Sequence, residues 1–172
     1  MPRPDFKVGE NNPNVLLVGA CPGEDEEKKG RPFSGPAGKN LAVMLQKLHA
    51  LHPDIFPSDS LDDYSLINAH SLPRYPKREG YDGRTQPTQD EVLADENRSR
   101  FTHQVKSLEP LTIVYLGKVA EYAHEMVEAA VEGFQAFKMG HPSAPAWNTK
   151  YAGMEKEAKL EKWVKDTLEQ VT

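Results

Sequence analysis

The first apolar run of this sequence reads Val15-Leu16-Leu17-Val18 and ends at Gly19. A short run of branched apolar side chains that stops at a glycine predicts a buried strand. A second run of this kind covers residues 112–116 and also ends in a glycine, Gly117. Weaker runs at residues 64–67 and 134–138 predict two further strands, so we expect a sheet of four short strands.

Helical patterns separate the predicted strands. Leu41, Met44, Leu45 and Leu48 recur at the spacing of one helix face. Three more helices are predicted at residues 88–108, 118–131 and 154–170. Strands that alternate with helices favour a parallel sheet covered on both faces. We therefore expect an α/β fold, a single domain over residues 1–172 with three α/β/α layers and a short, mostly parallel, four-stranded central sheet.

The composition is typical of a globular chain, since 38% of the 172 residues are hydrophobic and 27% are charged. No run approaches the ~18 apolar residues of a membrane span, and the N-terminal residues lack the apolar core of a signal peptide. The one cysteine, Cys21, excludes an intrachain disulfide. These features predict a cytoplasmic protein. A net charge of −5 disfavours a protein that coats nucleic acid, but it allows a small footprint.

Unusual loop sequences follow three of the predicted strands. They cover residues 19–38, 68–74 and 140–147, and the first contains five glycines and three prolines. In sheets of this kind, ligands bind beyond the carboxyl ends of the strands. The sequence therefore predicts a binding site where these loops meet. By itself, a Gly/Pro-rich loop between a strand and a helix is more often a purely structural turn than a binding loop.

Three motifs in these loops resemble those of the uracil-DNA glycosylase superfamily. The first is Gly-x-x-Pro-Gly-x-x-x-Glu at residues 19–27, followed by Gly-Arg-Pro-Phe-x-Gly-x-Ala-Gly at residues 30–38. Ile67-Asn68 resembles the second motif, and Gly140-His141-Pro142-Ser143 resembles the third. All three occur in the family order, which makes the match more specific than any single motif. The nearest branch is the one whose members carry an iron–sulfur cluster.

The resemblance implies a glycosylase that flips a base out of DNA and cleaves its N-glycosidic bond. Phe33 matches the aromatic residue that stacks on the base, and Asn68 the amide that reads it. His141 matches the donor that stabilises the departing base. The implied base-binding residues also include Gly19, Ala20, Cys21, Gly23 and Ser143. The candidate DNA contacts are Arg74, Lys77, Arg78 and Trp147.

The sequence departs from the family pattern at two positions in the first loop. Ala20 stands where these relatives carry an acidic residue that positions water, and Glu24 is the candidate substitute for this catalytic role. Four cysteines hold the relatives' cluster, whereas only Cys21 is present. This count predicts no iron–sulfur cluster, no metal and no other cofactor. Cys21 itself is either a small pocket residue or a reactive thiol.

Several roles stay open at this level. Trp147 serves either as a wedge that fills the gap left by the flipped base or as an anchor of its loop. Ser143 either contacts a phosphate or caps a turn. A weak wedge would suit single-stranded DNA, and we expect a monomer. Two other functions remain as alternatives: a base-binding module without catalysis, and a small-molecule α/β enzyme that only mimics the motifs.

Overall fold

A computed structural model describes residues 3–75 and 85–171 of the chain. Its centre is a mixed six-stranded sheet with the strand order β1-β3-β2-β4-β5-β6. The strands are β1 (Phe6–Lys7), β2 (Asn12–Gly19), β3 (Tyr64–Asn68), β4 (Thr112–Leu116), β5 (Gln135–Met139) and β6 (Glu169–Val171). The inner four strands are parallel, whereas β1 and β6 pair antiparallel at the two edges.

The α/β class predicted from the sequence is confirmed, but the prediction of four strands is wrong. The two additional strands, β1 and β6, contain two and three residues. Neither is an apolar run, and β6 falls where a helix was predicted to continue to residue 170. Strands this short have no periodic signal of their own. They form because the edges of β3 and β5 offer unpaired backbone groups for hydrogen bonding.

Helices cover both faces of the sheet. They are α1 (Glu24–Lys29), α2 (Pro36–Leu51), α3 (Gln89–Leu93), α4 (Asp95–Leu108), α5 (Lys118–Glu121), α6 (His124–Ala130), α7 (Ala144–Lys150) and α8 (Lys156–Thr167), with a 3₁₀ helix at Leu61–Asp63. Alternate residues of β2 face opposite layers. Leu17 packs in the cluster that includes α2, α7 and α8, and Leu16 packs in the cluster that includes α4 and α6.

Two predicted helices are each divided in the structure. The helix predicted over residues 88–108 breaks at Ala94, whose ψ of 144° is incompatible with a helix. The helix predicted over 118–131 divides into α5 and α6 near Tyr122. Hydrophobic spacing continues across both breaks, because both members of each pair pack on the same layer. Within the described ranges, no helix combines the length and the apolar character needed to cross a membrane.

Candidate functional site

The three motif loops meet at the carboxyl edge of the sheet around a small cavity of about 150 Å³. Its wall contains Phe33 from the first loop, Asn68 from the end of β3 and His141 from the loop after β5. The remaining lining residues are Ala20, Cys21, Gly23, Glu26, Ala37, Gly38, Arg74, Thr85 and Gln86. Pockets for drug-sized ligands typically measure ~300–1,000 Å³, so this cavity suits a single small ring.

A larger depression of about 590 Å³ lies between β1 and the segment around Arg31. It is more open to solvent, and none of Phe33, Asn68 and His141 lines it. Size alone would favour this depression as the site. The small cavity has the convergent polar groups that distinguish a binding site from a surface groove, so we place the candidate site there.

Phe33 occupies an uncommon backbone conformation. Its φ of 52° lies in the left-handed region, where a bulky side chain costs about 1–3 kcal/mol. Glycines on two sides permit this geometry. A Cβ at Gly38 would stand 1.7 Å from the Phe33 carbonyl oxygen, and a Cβ at Gly19 would stand 2.5 Å from Cζ of the ring. The two glycines of the motif therefore allow the Phe33 ring to form a wall of the cavity.

Asn68 ends β3 with its backbone held on both sides. Its N–H donates to the Asp5 carbonyl at 2.9 Å, and its C=O accepts a 3.0 Å bond from Nη1 of Arg100. The residue is only 3% exposed. No residue within 3–75 or 85–171 hydrogen-bonds the side-chain amide of Asn68. A buried amide normally has hydrogen-bond partners. Because the described residues supply none here, the donor and the acceptor of Asn68 are available to a ligand in the cavity.

His141 has one ring nitrogen fixed by its own loop. Nδ1 accepts the backbone N–H of Ser143 at 3.0 Å and lies 2.8 Å from the Ser143 hydroxyl oxygen. Burial lowers the pKa of the imidazole below its ordinary value. This hydrogen-bond geometry assigns a neutral ring with its proton on Nε2. No described residue pairs with Nε2, so that N–H can donate to a bound base.

Three side-chain donors hold the loop that contains His141. Asn40 and Trp147 both donate to the Pro142 carbonyl, at 2.9 and 3.1 Å, and Trp163 donates to the His141 carbonyl at 3.0 Å. Trp147 is 4% exposed. Of its two open roles, the structure therefore favours the anchor, and the predicted DNA contact by Trp147 is inconsistent with its burial.

The acidic residues of the first loop are not arranged as the sequence suggested. Glu24 is the first residue of α1, is exposed, and pairs with Lys28 at 2.9 Å, so the predicted catalytic Glu24 does not line the cavity. Glu26 lines it instead. Its carboxylate accepts the N–H groups of Gly23 at 2.9 Å and Ser34 at 3.2 Å, which closes the loop. The sequence signal for this role is a Glu three residues after the N-cap Gly23, the position from which a carboxylate reaches back to the N-cap N–H.

Cys21 lines the cavity as a half-buried thiol. Burial raises the pKa of Cys21 to about 11, although the nearby charge of Arg74 acts in the opposite direction. The sulfur donates to the Thr85 carbonyl at 3.7 Å. A thiol with so high a pKa stays protonated near neutral pH, and the thiolate is the nucleophilic form. The structure therefore favours the small pocket residue over the reactive thiol.

The structure describes only one of the three predicted DNA contacts near residue 74. Lys77 and Arg78 lie outside the described residues. Arg74 is 8% exposed, lines the cavity and pairs with the Glu91 carboxylate, so it is a wall residue rather than a surface contact. No motif in the sequence indicates Thr85 and Gln86, which lie beyond residues 68–74 and also line the cavity.

A scan against family models matches residues 6–168 to the uracil DNA glycosylase superfamily. Curated relatives named type-4 uracil-DNA glycosylase are similar over parts of the chain. The protein of Archaeoglobus fulgidus is 30% identical over 66% of this chain and 48% of its own length. That of Pyrobaculum aerophilum is 29% identical over 87% and 65%, and that of Sulfurisphaera tokodaii is 46% identical over 30% and 24%. The chain thus spans less than two thirds of the length of each of these relatives.

These relatives contradict the prediction that no iron–sulfur cluster belongs to such a protein, because type-4 enzymes as a group carry one. The donor set of the described residues does not fit that cluster. Cys21 is the single cysteine of the 172 residues, whereas such a cluster takes four thiolate ligands. Within the described ranges, no three His, Cys, Asp or Glu side chains are grouped so as to hold a metal ion.

Proposed function

This chain belongs to the uracil DNA glycosylase superfamily, and we propose that it hydrolyses the N-glycosidic bond of uracil, or of a related modified base, flipped out of DNA. One observation carries the proposal: Phe33, Asn68 and His141, from three loops far apart in sequence, line the same cavity. A planar base has a π face for the Phe33 ring and an edge for polar groups.

Base selection is assigned to Asn68. Its amide offers one donor and one acceptor, which match a carbonyl and an adjacent N–H on the edge of uracil. Cytosine presents a different pattern on that edge, because its N3 carries no hydrogen and its C4 carries an amino group in place of a carbonyl. A buried site built to hydrogen-bond one partner discriminates strongly against a partner that leaves its groups unpaired.

Bond cleavage is assigned chiefly to His141. As the bond from N1 to C1′ breaks, its electron pair moves onto the base and positive charge develops on the sugar. The Nε2–H of a neutral His141 donates to the base oxygen on which negative charge accumulates. Water then adds to C1′, and its proton ends on the released base.

A second function, base binding without hydrolysis, is favoured by one specific feature of the cavity. The methyl group of Ala20 lines it where an acid would stabilise the sugar cation or orient water. Glu26 is near, but its carboxylate is already hydrogen-bonded to two backbone N–H groups. The two functions differ only in turnover.

Purified protein incubated with uracil-containing single- and double-stranded oligonucleotides tests both functions. We expect abasic sites from the unmodified protein, and a rate reduced about 10²–10³-fold in His141→Ala. His103→Ala is a matched control, because His103 is exposed on α4. Asn68→Asp should lose uracil selectivity, since an ionised carboxylate only accepts hydrogen bonds. Absence of cleavage of uracil, hypoxanthine, xanthine and bulky modified pyrimidines would contradict hydrolysis. Tight binding without turnover would support the binding module.

Several narrower features stay predictions from the sequence. They are the preference for single-stranded DNA, the monomeric state, the cytoplasmic location and the extent of one domain over residues 1–172. The roles of Gly19, Gly23, Cys21 and Ser143 in base binding are likewise proposals, supported by the positions of the first three along the cavity or its adjoining loop.

A further inference from the structure

A buried cation forms part of the wall of the cavity. Arg74 is 8% exposed and lines the same space as Phe33, Asn68 and His141. We propose that Arg74 is a further catalytic residue, whose guanidinium stabilises the negative charge that the base acquires as its bond to C1′ breaks. This inference rests on the proposed hydrolytic function and adds a second electrostatic group to His141.

The position of Arg74 is fixed from two directions. Its backbone N–H donates to the Pro22 carbonyl at 2.9 Å, which joins the loop after β3 to the loop after β2. Its guanidinium pairs with Glu91. Glu91 is held by a capping box at the start of α3, in which the Glu91 N–H donates to the Thr88 hydroxyl at 3.2 Å. A charge held in this way needs no rearrangement during the reaction, which is the condition for electrostatic catalysis.

The charge of Arg74 acts inside the cavity despite its pairing with Glu91. It lowers the pKa of the Cys21 thiol against the larger effect of burial, and it acts on Cys21 more strongly than the opposite charge of Glu26. It also lowers the pKa of His70. Because Cys21 lines the cavity, the positive potential of Arg74 reaches the space where a base would lie, in surroundings of low dielectric constant.

The residue at position 20 of the first loop explains why the charge of Arg74 is important for bond cleavage. With Ala20 in place of an acid, no carboxylate at that position stabilises the sugar cation. Bond cleavage then depends more heavily on making the base a good leaving group. The electron pair of the broken bond resides on the base, the oxygen of water bonds to C1′, and the water proton ends on the base. Arg74 transfers no proton in this reaction, because a guanidinium stays protonated.

The alternative is a purely structural ion pair that ties residues 69–75 to α3. The two roles differ in their dependence on the leaving group. If Arg74 stabilises the anion, its removal matters less for a base that already accommodates negative charge well. If Arg74 only supports the loop, its removal weakens the cleavage of all bases by the same factor.

The experiment compares single-turnover cleavage of uracil and 5-fluorouracil in the same single-stranded oligonucleotide. Fluorine withdraws electrons and makes the base a better leaving group. Arg74→Met should reduce the rate for uracil about 10²-fold and the rate for 5-fluorouracil by a clearly smaller factor, while Arg74→Lys should retain part of both. The control is Arg98→Met, since Arg98 pairs with Glu125 at 4.0 Å outside the cavity and should leave both rates unchanged.

Glu91→Gln provides a second measurement if Arg74→Met folds poorly. The amide keeps an oxygen for the Thr88 capping box but removes the negative charge of Glu91 beside Arg74, so we expect an equal or higher rate for uracil. A structural ion pair predicts instead that Glu91→Gln behaves like Arg74→Met. Equal losses on both bases, or a rate loss in Glu91→Gln as large as in Arg74→Met, would overturn the role of Arg74. Absence of turnover in the unmodified protein would instead overturn the proposed function, and this inference with it.

Discussion

The backbone N–H of Ser143 donates a 3.0 Å hydrogen bond to Nδ1 of His141. Only an unprotonated nitrogen accepts such a bond, so the contact and a buried ring both favour the neutral imidazole. Protonation of Nδ1 would break the bond and disturb the loop. Ser143 therefore determines that Nε2, and not Nδ1, carries the proton that His141 can donate to a ligand.

The pH dependence of cleavage should reflect this neutral ring. Because burial lowers the pKa of His141 below its usual value near 6.5, His141 stays a neutral donor as the pH falls from 8 through 6.5. We expect a flat single-turnover rate over this range and a decline only at lower pH. Rates measured on uracil-containing single strands test this. A midpoint at or above 6.5 that is lost in His141→Gln would contradict the assignment.

Gly19→Ala should impair the cavity more than the fold. The added methyl would stand 2.5 Å from Cζ of Phe33 and 2.6 Å from Oδ1 of Asn68, so both side chains must shift. Misplacement of about 1 Å costs up to ~10²-fold in rate. The comparison is Gly153→Ala, where no atom lies within 4 Å but φ is 89°. That variant should lose about 1 kcal/mol of stability with an unchanged rate per folded molecule. Similar rates in both variants would show that the contact is unimportant.

Arg100→Met should destabilise the end of β3. The Arg100 guanidinium donates to the carbonyls of Asn68 and Ala69, at 3.0 and 3.1 Å, and pairs with the buried Asp5. Its loss leaves two buried carbonyls and one carboxylate without this partner. Breaking a buried pair typically costs about 3–5 kcal/mol, to be measured by urea unfolding. Arg98→Met, at a half-buried side chain whose ion pair with Glu125 is a 4.0 Å contact, should change the free energy of unfolding by less than about 0.5 kcal/mol. Equal effects would refute this account.

His70 should make the fold sensitive to mild acid. Burial, together with Arg74 and Arg100, lowers the pKa of His70 to about 4. In the unfolded chain His70 binds a proton near pH 6.5, whereas in the folded protein it stays neutral until about pH 4. The free energy of unfolding therefore falls as the pH drops between these values, by on the order of 3 kcal/mol. Unfolding curves at pH 7 and pH 4.5 should show this loss, and His70→Gln should reduce it.

His103 provides the comparison for that measurement. Its side chain is exposed on α4, so replacing it with Gln should leave the difference between the two pH values unchanged. If His70→Gln and His103→Gln gave the same dependence on pH, the acid sensitivity would originate elsewhere in the molecule.

The sequence by itself determined the elements whose signal is local. The branched apolar residues of β2 and β4 predict strands because such side chains fit a buried sheet, and the stripe from Leu41 to Leu48 predicts α2 because it matches the helical period. Phe33, Asn68 and His141 were recognisable because each belongs to a motif that follows a strand. Their nearness in space was inferred from the rule that strand ends meet at one edge.

Tertiary structure alone decided the features that depend on distant partners. The strands β1 and β6 exist because neighbouring strands offer free backbone groups, which no local pattern encodes. Arg74 was expected on the surface, yet pairing with Glu91 stabilises its charge inside the cavity wall. Trp147 was an equally good wedge or anchor until the Pro142 carbonyl gave its indole N–H a buried partner. In each case the role of a residue depends on the group that pairs with its charge or accepts its hydrogen bond. That group is brought close only by the tertiary structure.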